Sequence, residues 1–330
     1  MRHFLLLGLL ACGTPPAELE DAQTCETLAA DSAPLRMLTR TQVDLSLETL
    51  MNVEGTARTR LPRDSTMHGF EGFAESGAMS PLIADGWMRV AEDATEQVDW
   101  TTLVPCDPAS IDRTCAEAFV RDFGRRAWRR PLDEDEALLF DGLYDVLSTE
   151  QSVEDALSAV VQAMLLSPQF VYRVEIGEDG AEGDAVPLTD WEVASRLAFL
   201  LWNSTPDDEL LAVAEAGTLG DPAVLVAQVE RLLADDRARH VAGRFAEQWL
   251  GVGSLEDEAR DANVYPDWSD DLATDLREET RRFTADVIFD GDGTLQALLS
   301  SPYTVANSRV AEHYGPVSYT HLTLPTILRV

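Results

Sequence analysis

The spacing of apolar and polar positions predicts helices along most of the chain, and the densest apolar run after the N-terminus lies at residues 193–202. Thr189 followed by Glu192 is a capping box, which predicts that a helix begins directly after Thr189. Apart from Ser195 and Arg196, nearly every residue of the run is apolar, and a helix that is apolar on all sides is a buried one. We therefore expect this segment to be the central helix of an all-α core.

A second helix is predicted to follow this run closely. Thr205 has the residue type of an N-cap, and Pro206 then occupies the first helical position, where its missing N–H costs nothing. Arg196 lies in the apolar run, so we expect a buried guanidinium that must be paired, with Asp207 or Asp208 as its carboxylate. Such a pair is more typical of an architectural role than of a catalytic one.

Elsewhere, capping residues, prolines and glycines mark the ends of further apolar repeats with helical spacing. No alternating segment is long enough to predict a strand, and residues 52–79 are predicted to be loop. The fold class is therefore all-α, a string of helical subdomains packed on a shared core with no substantial sheet. The further predicted helices cover residues 39–51, 80–91, 112–128, 133–147, 153–166, 221–233, 236–250, 269–289 (with Asp267 or Ser269 as N-cap), 294–300 and 307–314.

The N-terminus resembles that of a bacterial lipoprotein. Residues 1–11 combine a basic residue, a short apolar core and a Leu-Leu-Ala sequence that ends directly before Cys12. This pattern is typical of a secretory leader with a lipobox, in which Cys12 receives lipid and becomes the new N-terminus. The apolar run is too short for a membrane-spanning helix, and a leader cleaved nearby without lipid is the remaining alternative.

Two consequences follow from this interpretation. We expect an exported protein, anchored by lipid in the bacterial cell envelope, with residues 12–34 as a tether rich in Pro, Ala and acidic residues. An oxidising compartment also predicts a local disulfide between Cys106 and Cys115, which are separated by eight residues. Cys25 is then left free or paired between molecules.

Net charge and composition exclude several functions. The net charge is −34, and an acidic surface of this kind repels nucleic acids, so we expect no nucleic-acid partner. All 25 basic residues are arginines, since the 330 residues include no lysine. Schiff-base catalysis, a P-loop lysine and a Ser–Lys dyad are therefore excluded.

Histidine is scarce, and the sequence contains no H-x-x-x-H, C-x-x-C or C-x-x-C-H motif. Zinc and haem sites of the usual kinds are therefore unsupported, and we expect no cofactor and no metal. His240 and His313 each lie alone on a predicted helix, where a lone histidine is usually structural. Together with Arg196, they are the candidate site residues.

Two further clusters have a functional and a structural interpretation. The four arginines at 125, 126, 129 and 130 form a basic cluster that either binds an anion such as an acidic polysaccharide or pairs with the acidic run at 133–136. Residues 290–294, DGDGT, look like half of a calcium loop, but the remaining ligands and the terminal Glu of an EF-hand are missing. A turn capped by Thr294 explains this second cluster equally well.

Five segments, in order, resemble large uncharacterised secreted proteins of planctomycetes and myxobacteria that carry domains of unknown function numbered 1587, 1595, 1592 and 1588. The resemblance implies a helical exported protein and no particular activity. Some such proteins carry a c-type haem domain, whose motif this chain lacks. The segments are 35–51, 119–136, 165–175, 188–211 and 276–315. The implied domains are 35–100 (1587-like), 106–175 (1595-like), 186–252 (1592-like) and 266–316 (partial, 1588-like).

The last segment, residues 317–330, is similar to something different. VSYTHLTLPT resembles the translation of a sequencing-library adapter. We therefore expect that 317–330 is not native sequence and that the family's continuation beyond residue 316 is missing.

Two classes of function remain open at this point. The first is a lipid-anchored surface scaffold or binding module that works with other exported proteins or with an extracellular polymer. The alternative is a cell-envelope enzyme of unrecognised type, directed at a polysaccharide, whose site lies partly in the missing C-terminal region. The thin catalytic inventory favours the first class.

The adapter hypothesis makes a direct prediction. A segment that was never selected to pack should be dispensable, so deletion of residues 317–330 should change the melting temperature by no more than about two degrees. Thermal unfolding of the full and shortened chains measures this difference. A clear loss of stability on deletion would contradict the hypothesis, and resequencing the gene beyond the codon for residue 316 is the direct check.

Overall fold

The computed structural model describes residues 34–74, 78–106, 111–178, 186–257, 260–261, 263–315 and, for the backbone alone, 326–329. The predicted leader, Cys12, Cys25 and the tether through residue 33 lie outside the described residues, as does most of segment 317–330. The described chain divides into two compact units, Asp31–Ala234 and Asp235–Val330. As predicted, the fold is mostly helical, with a few short strands.

The first unit is a set of helices with two very short antiparallel sheets. Strand β1 (Arg36–Met37) pairs with β4 (Tyr172–Arg173), and β2 (Thr66–Met67) pairs with β3 (Phe70–Glu71). The helices are α1 (Arg40–Met51), α2 (Thr56–Arg60), α3 (Pro81–Gln97), α4 (Trp100–Leu103), α5 (Arg113–Trp128), α6 (Glu134–Leu147), α7 (Val153–Leu166), α8 (Pro168–Val171), α9 (Asp190–Leu201), α10 (Asp208–Glu215) and α11 (Pro222–Ala234).

Local capping chemistry explains where the main helices begin. At each of three capping boxes, including the one predicted at Thr189, the N-cap side chain accepts the N3 backbone N–H and the N3 side chain accepts the N-cap N–H. This satisfies two donors that the helix leaves open. Pro81 and Pro222 stand at first helical positions, where their missing N–H costs nothing. The three boxes are Thr39 with Gln42, Asp133 with Glu136, and Thr189 with Glu192.

Helix α7 is the centre of the core of the first unit. It packs against α3, α5 and α6, and its residues Leu157, Val160, Val161 and Met164 are fully buried. The aromatic rings of the same core form edge-to-face pairs, such as Trp87 with Phe170 at 6.1 Å between centroids. One continuous core therefore joins residues from Leu38 to Phe199.

The prediction that the run at 193–202 forms a helix buried on all sides is wrong. Helix α9 buries Ala198 and Phe199, but the side chains of Arg196 and Leu200 are 54% and 61% exposed. An apolar composition shows that a helix can be buried, while the number of neighbouring elements decides how many of its faces are covered. Helix α9 is an amphipathic helix at the edge of the core.

The prediction for the next helix start is also corrected. Helix α10 begins at Asp208 with Asp207 as its N-cap, which accepts the N–H of Leu210 at 3.0 Å. Thr205 is fully buried instead, and its hydroxyl donates to the carbonyl of Arg126 at 3.1 Å. The threonine is thus engaged by a tertiary contact that local sequence does not reveal.

Residues 52–79 are likewise more regular than predicted. Helix α2 and the β2–β3 hairpin lie within the segment that was expected to be loop. The hairpin turn carries His68 and Gly69, both with positive φ, at 52° and 88°. A turn of this kind joins strands of two residues, which are too short to give an alternating pattern.

The second unit is arranged around α13. Gly243 on α12 allows close packing there, since a Cβ at this position would lie 2.9 Å from the Cβ of Arg281. A small core contains Leu272, Val310 and Ala311. The elements are α12 (Asp236–Leu250), a 3₁₀ helix (Val252–Asp257), α13 (Asp270–Ala285) with a π-helical continuation (Asp286–Asp290), α14 (Leu295–Ser300), β5 (Tyr303–Ala306), α15 (Ser308–Tyr314) and β6 (Thr326–Arg329).

Strand β6 lies in the segment that is similar to adapter sequence. It pairs antiparallel with β5, with Tyr303 opposite Arg329 and Ala306 opposite Thr326. An unpaired strand edge accepts another extended segment through main-chain hydrogen bonds, largely regardless of side chains. The pairing therefore leaves the adapter hypothesis as a prediction, to be decided by the deletion described above.

No helix among the described residues combines the length and the apolar character that crossing a bilayer requires.

The position of α7 gives a testable prediction for stability. Leu157→Ala should lower the free energy of unfolding by about 2–5 kcal/mol, because it opens a cavity at a fully buried site. Leu139→Ala is the matched control, since Leu139 lies on α6 and is 69% exposed, and it should change stability by about 0.5 kcal/mol or less. Urea unfolding of both variants measures the difference, and equal effects would contradict the assignment of α7 as the core helix.

Candidate functional site

Three of the five sequence segments that resemble the family meet at the ring of Phe199 on α9. Arg129 follows α5 and Arg173 lies in β4, and their guanidinium carbons are 5.5 and 5.7 Å from the ring centroid. Phe199 is only 3% exposed. Attraction between a cation and an aromatic face is stronger when water is excluded, so this ring helps to hold both guanidinium groups.

Arg129 is a buried cation that carbonyl groups satisfy. It caps the C-terminus of α5 with a left-handed φ of 62° and is 4% exposed. Its guanidinium donates to the carbonyls of Ala127 at 3.1 Å, Gln169 at 2.5 Å and Tyr172 at 2.8 Å. It therefore connects α5 with α8 and β4, in contrast to the predicted pairing with acidic residues.

Electrostatics around Arg129 reflect its burial. Removal from water, helped by the neighbouring charges of Arg173 and Arg130, lowers the pKa of Arg129 to about 9. The group remains a cation at neutral pH. Its three carbonyl acceptors offset the cost of placing that charge in the protein interior.

Arg36 and Arg173 face each other across the β1–β4 pair. They are directly opposite in the antiparallel register, so their side chains leave the same face. Arg36 is exposed, whereas the Nε of Arg173 is buried and has no hydrogen-bond partner among the described residues. Burial lowers the pKa of Arg173, and the charge of Arg36 lowers it further.

The predicted partner of Arg196 is wrong. Arg196 is exposed and pairs with Glu175, whose Oε1 accepts from its Nε at 3.0 Å and whose Oε2 accepts from a second guanidinium nitrogen. Asp207, one of the two predicted partners, forms a bidentate pair with Arg231 at 2.7 and 3.0 Å. Because Arg196 leaves the exposed face of α9, it reaches the chain beyond β4 instead.

The rest of the basic cluster at 125–130 is engaged in ion pairs. Arg130 donates to both carboxylate oxygens of Glu136 at 2.7 and 2.8 Å, and this contact lowers the pKa of Glu136. The predicted pairing with the 133–136 run is thus confirmed for Arg130. Arg125 and Arg126 use other carboxylates, those of Asp122 and Asp208, at 3.3–3.9 Å.

An open cleft lies between α5 and α6 in the first unit. It has a volume of about 510 Å³ and is lined by Arg121, Asp122, Arg125, Asp133 and other residues of both signs. Arg121 pairs with the buried Asp141 at 3.0 Å, and Arg125 pairs with Asp122. The cleft is open and mixed in charge, so it does not select for one ligand sign.

The two candidate histidines belong to the second unit. His240 is exposed on α12, and His313 is exposed on α15 with its ring centroid 5.9 Å from that of Tyr314. Among the described residues, no group of three or more His, Cys, Asp and Glu side chains is placed to hold a metal ion. Neither histidine therefore gains a ligand or catalytic role from its described surroundings.

The DGDGT segment is a capped turn. Asp290 forms a bidentate pair with Arg239, with both N–O distances at 2.7 Å. Asp292 accepts the backbone N–H and the hydroxyl of Thr294 at 2.9 Å, and Thr294 in turn caps α14. These contacts agree with the structural interpretation of the segment.

The predicted disulfide is confirmed. Cys106 and Cys115 are bonded, with their Cα atoms 6.2 Å apart, although residues 107–110 of the loop lie outside the described part. Cys115 lies in the first turn of α5, where Asp112 is the N-cap and accepts the backbone N–H of Cys115 at 2.8 Å. The bridge therefore fixes the start of α5 to the segment that follows α4.

Sequence reasoning missed Arg36 and Arg173. Both lie in segments that resemble the family, but each strand has only two residues and the partners are distant in sequence. The available signal was the period of two between Arg173 and Glu175, which places both side chains on one face of an extended segment. The pairing with Arg36 becomes visible only in three dimensions.

Comparison with known families agrees with the order of the family-like segments along the sequence. Residues 36–99, 115–175 and 188–315 match three family models, each described as a protein of unknown function: DUF1587, DUF1595 and DUF1592, respectively. The chain carries three tandem domains of unknown function. The arginines described for this site come from all three matches. Arg36 lies in the DUF1587 match, Arg129 and Arg173 lie in the DUF1595 match, and Arg196 and Phe199 lie in the DUF1592 match.

The DUF1592 match extends further than the predicted 1592-like domain. It runs across 266–315, which was assigned to a partial 1588-like domain, so that assignment stays a prediction, as does the bacterial origin. The match also begins in the first compact unit and continues in the second. No curated protein and no solved structure matches the chain significantly.

Arg129 gives a prediction for this site. Arg129→Ala should lower the free energy of unfolding by about 2–3 kcal/mol, because the carbonyls of α8 and β4 lose their donor. Arg113→Ala is the control, since Arg113 is 65% exposed in its pairs with Glu117 and Asp145 and should contribute about 1 kcal/mol or less. Chemical denaturation measures both. If Arg129→Ala leaves the free energy of unfolding unchanged, the cost of burying the charge equals the stabilisation from its hydrogen bonds, which would contradict the prediction.

Proposed function

We propose that this is an exported, lipid-anchored helical protein that acts by binding or scaffolding rather than by catalysis. The observation that carries the proposal is that polar side chains in the family-like segments connect helices to one another. Arg129 holds carbonyl groups, Arg130 holds Glu136, and Gln42 donates to Asn203 at 2.9 Å. These residues fix helices to one another, and none of these contacts pairs a nucleophile with a base.

Export is supported by two independent features. The leader-like segment that ends at Cys12 is typical of a lipoprotein, and the Cys106–Cys115 disulfide is a bond that persists in oxidising compartments. The partners in this proposal are a membrane, through the lipid, and another exported protein or extracellular molecule. The net charge of −34 argues against nucleic acid as a partner.

The anchor is tested at Cys12. Expressed in a bacterium with its leader, the chain should incorporate labelled fatty acid and partition into detergent, whereas Cys12→Ser should do neither. Cys25→Ser is the matched control, since it removes a nearby cysteine outside the lipobox and should leave labelling unchanged. A Cys12→Ser chain that is labelled and membrane-bound like the parent would refute lipid anchoring.

A further inference from the structure

We infer that Arg36 and Arg173 together bind the carboxylate of a ligand that carries a single negative charge. The inference deepens the proposed binding role, on which it rests, by naming the chemical class of the ligand. The two guanidinium groups leave one face of the β1–β4 pair from directly opposite positions. Directly opposite residues of an antiparallel pair have Cβ atoms about 5 Å apart, close enough for both side chains to reach one anion.

The first argument is that these two cations have no ion-pair partner within the described part of an acidic chain. Acidic residues outnumber basic ones by 59 to 25, and Arg60, Arg130 and Arg231 all form short ion pairs. Among the described residues, neither Arg36 nor Arg173 makes an ion pair or donates a side-chain hydrogen bond. Carboxylates are thus abundant, yet the described part of the chain places none in an ion pair with either arginine.

The second argument is the cost of the arrangement. Like charges directly across a strand pair are destabilising, and the buried Nε of Arg173 has no acceptor among the described residues. The cation–aromatic contact with Phe199 positions the guanidinium of Arg173 without providing an acceptor. An external oxyanion between the two guanidinium groups would relieve the first of these costs, because its negative charge offsets the repulsion of the like charges.

The third argument selects the kind of anion. A guanidinium is a planar fork that matches the two oxygens of a carboxylate, and Arg196 at the rim already binds Glu175 in this way. The charge of Glu175 lies close enough to affect Arg173. A dianion or a polyanion would be repelled by Glu175 and by the net charge of −34, so a single carboxylate fits best.

The ligand class is tested by titration calorimetry on the full chain in detergent. D-Glucuronate represents a sugar acid and N-acetylglycine represents a peptide C-terminus, with glucuronamide and N-acetylglycinamide as uncharged controls. At least one acid should bind while its amide does not, and the tighter acid identifies the source of the carboxylate. Acids that bind no better than their amides, or inorganic phosphate that binds more tightly than both acids, would overturn the inference.

Variants test the residues. Arg36→Gln should weaken the binding of the acid about tenfold through the loss of a charge-assisted contact, and Arg36 is exposed, so folding should be kept. Arg89→Gln is the matched control, because it removes the same charge from a half-exposed arginine that pairs with Asp85. This variant should keep the affinity for the acid within about twofold of the parent. Equal losses in both variants would reduce the effect to net charge and overturn the site.

Two further variants make the test more specific. Arg173→Lys keeps the charge but removes the fork, and it should weaken the acid nearly as much as Arg36→Gln does. Glu175→Gln removes the competing carboxylate, and it should tighten the acid several-fold. A Glu175→Gln variant that binds more weakly than the parent would contradict the assignment of the ligand's charge.

The two proposals fail separately. A chain that is lipidated at Cys12 but shows no difference between acid and amide retains the anchor and loses the carboxylate site. If the chain binds the acid through Arg36, but the parent and the Cys12→Ser variant incorporate equal amounts of labelled fatty acid, the carboxylate site is retained and the lipid anchor is refuted.

Discussion

Removing a guanidinium from water is costly, and the first unit does so at Arg129 with backbone carbonyls rather than a carboxylate as the compensating groups. The end of α5, the α8 turn and strand β4 are therefore held by one cation. Phe199 adds α9 to the same point through its ring. Because carbonyl groups carry no net charge, the positive charge of Arg129 is not cancelled, and it contributes to the field at Arg173.

The exclusive use of arginine matters for this arrangement. A guanidinium offers five donors in a plane, and here that geometry serves three chemically different environments: carbonyl oxygens at Arg129, a carboxylate fork at Arg130 and an aromatic face at Arg173. A lysine at position 129 has one nitrogen with which to reach acceptors from three separate segments. The packing of the family motifs thus depends on the shape of the cation as well as on its charge.

Much of the fold could be predicted from sequence because helix starts are local. The Thr39, Asp133 and Thr189 boxes depend on residues three positions apart, and Cys106 and Cys115 are close in the chain. The misassignments share a different cause. Exposure of Arg196, its pairing with Glu175 and burial of Thr205 depend on which distant elements lie nearby, and an apolar run carries no information about that.

The candidate site was harder to predict than the helices for the same reason. Strand β1 and strand β4 each have two residues, which gives no periodic signal, and their register joins positions 36 and 173 across most of the first unit. Only the order of the family-like segments hinted that these regions belong together. Side-chain chemistry was visible in the sequence, while the partnership between the two arginines was not.

The place of β1 in the chain has a mechanical consequence. It is the first secondary-structure element of the described residues, so a force applied to the chain at residue 34 acts first on the pairing of Arg36 and Met37 with β4. A pairing of only two residues in each strand is weak, and repulsion between the opposed arginines weakens it further. An anion that bridges Arg36 and Arg173 would add a second connection between the two strands, so the force needed to separate β1 from β4 would rise with occupancy of the site.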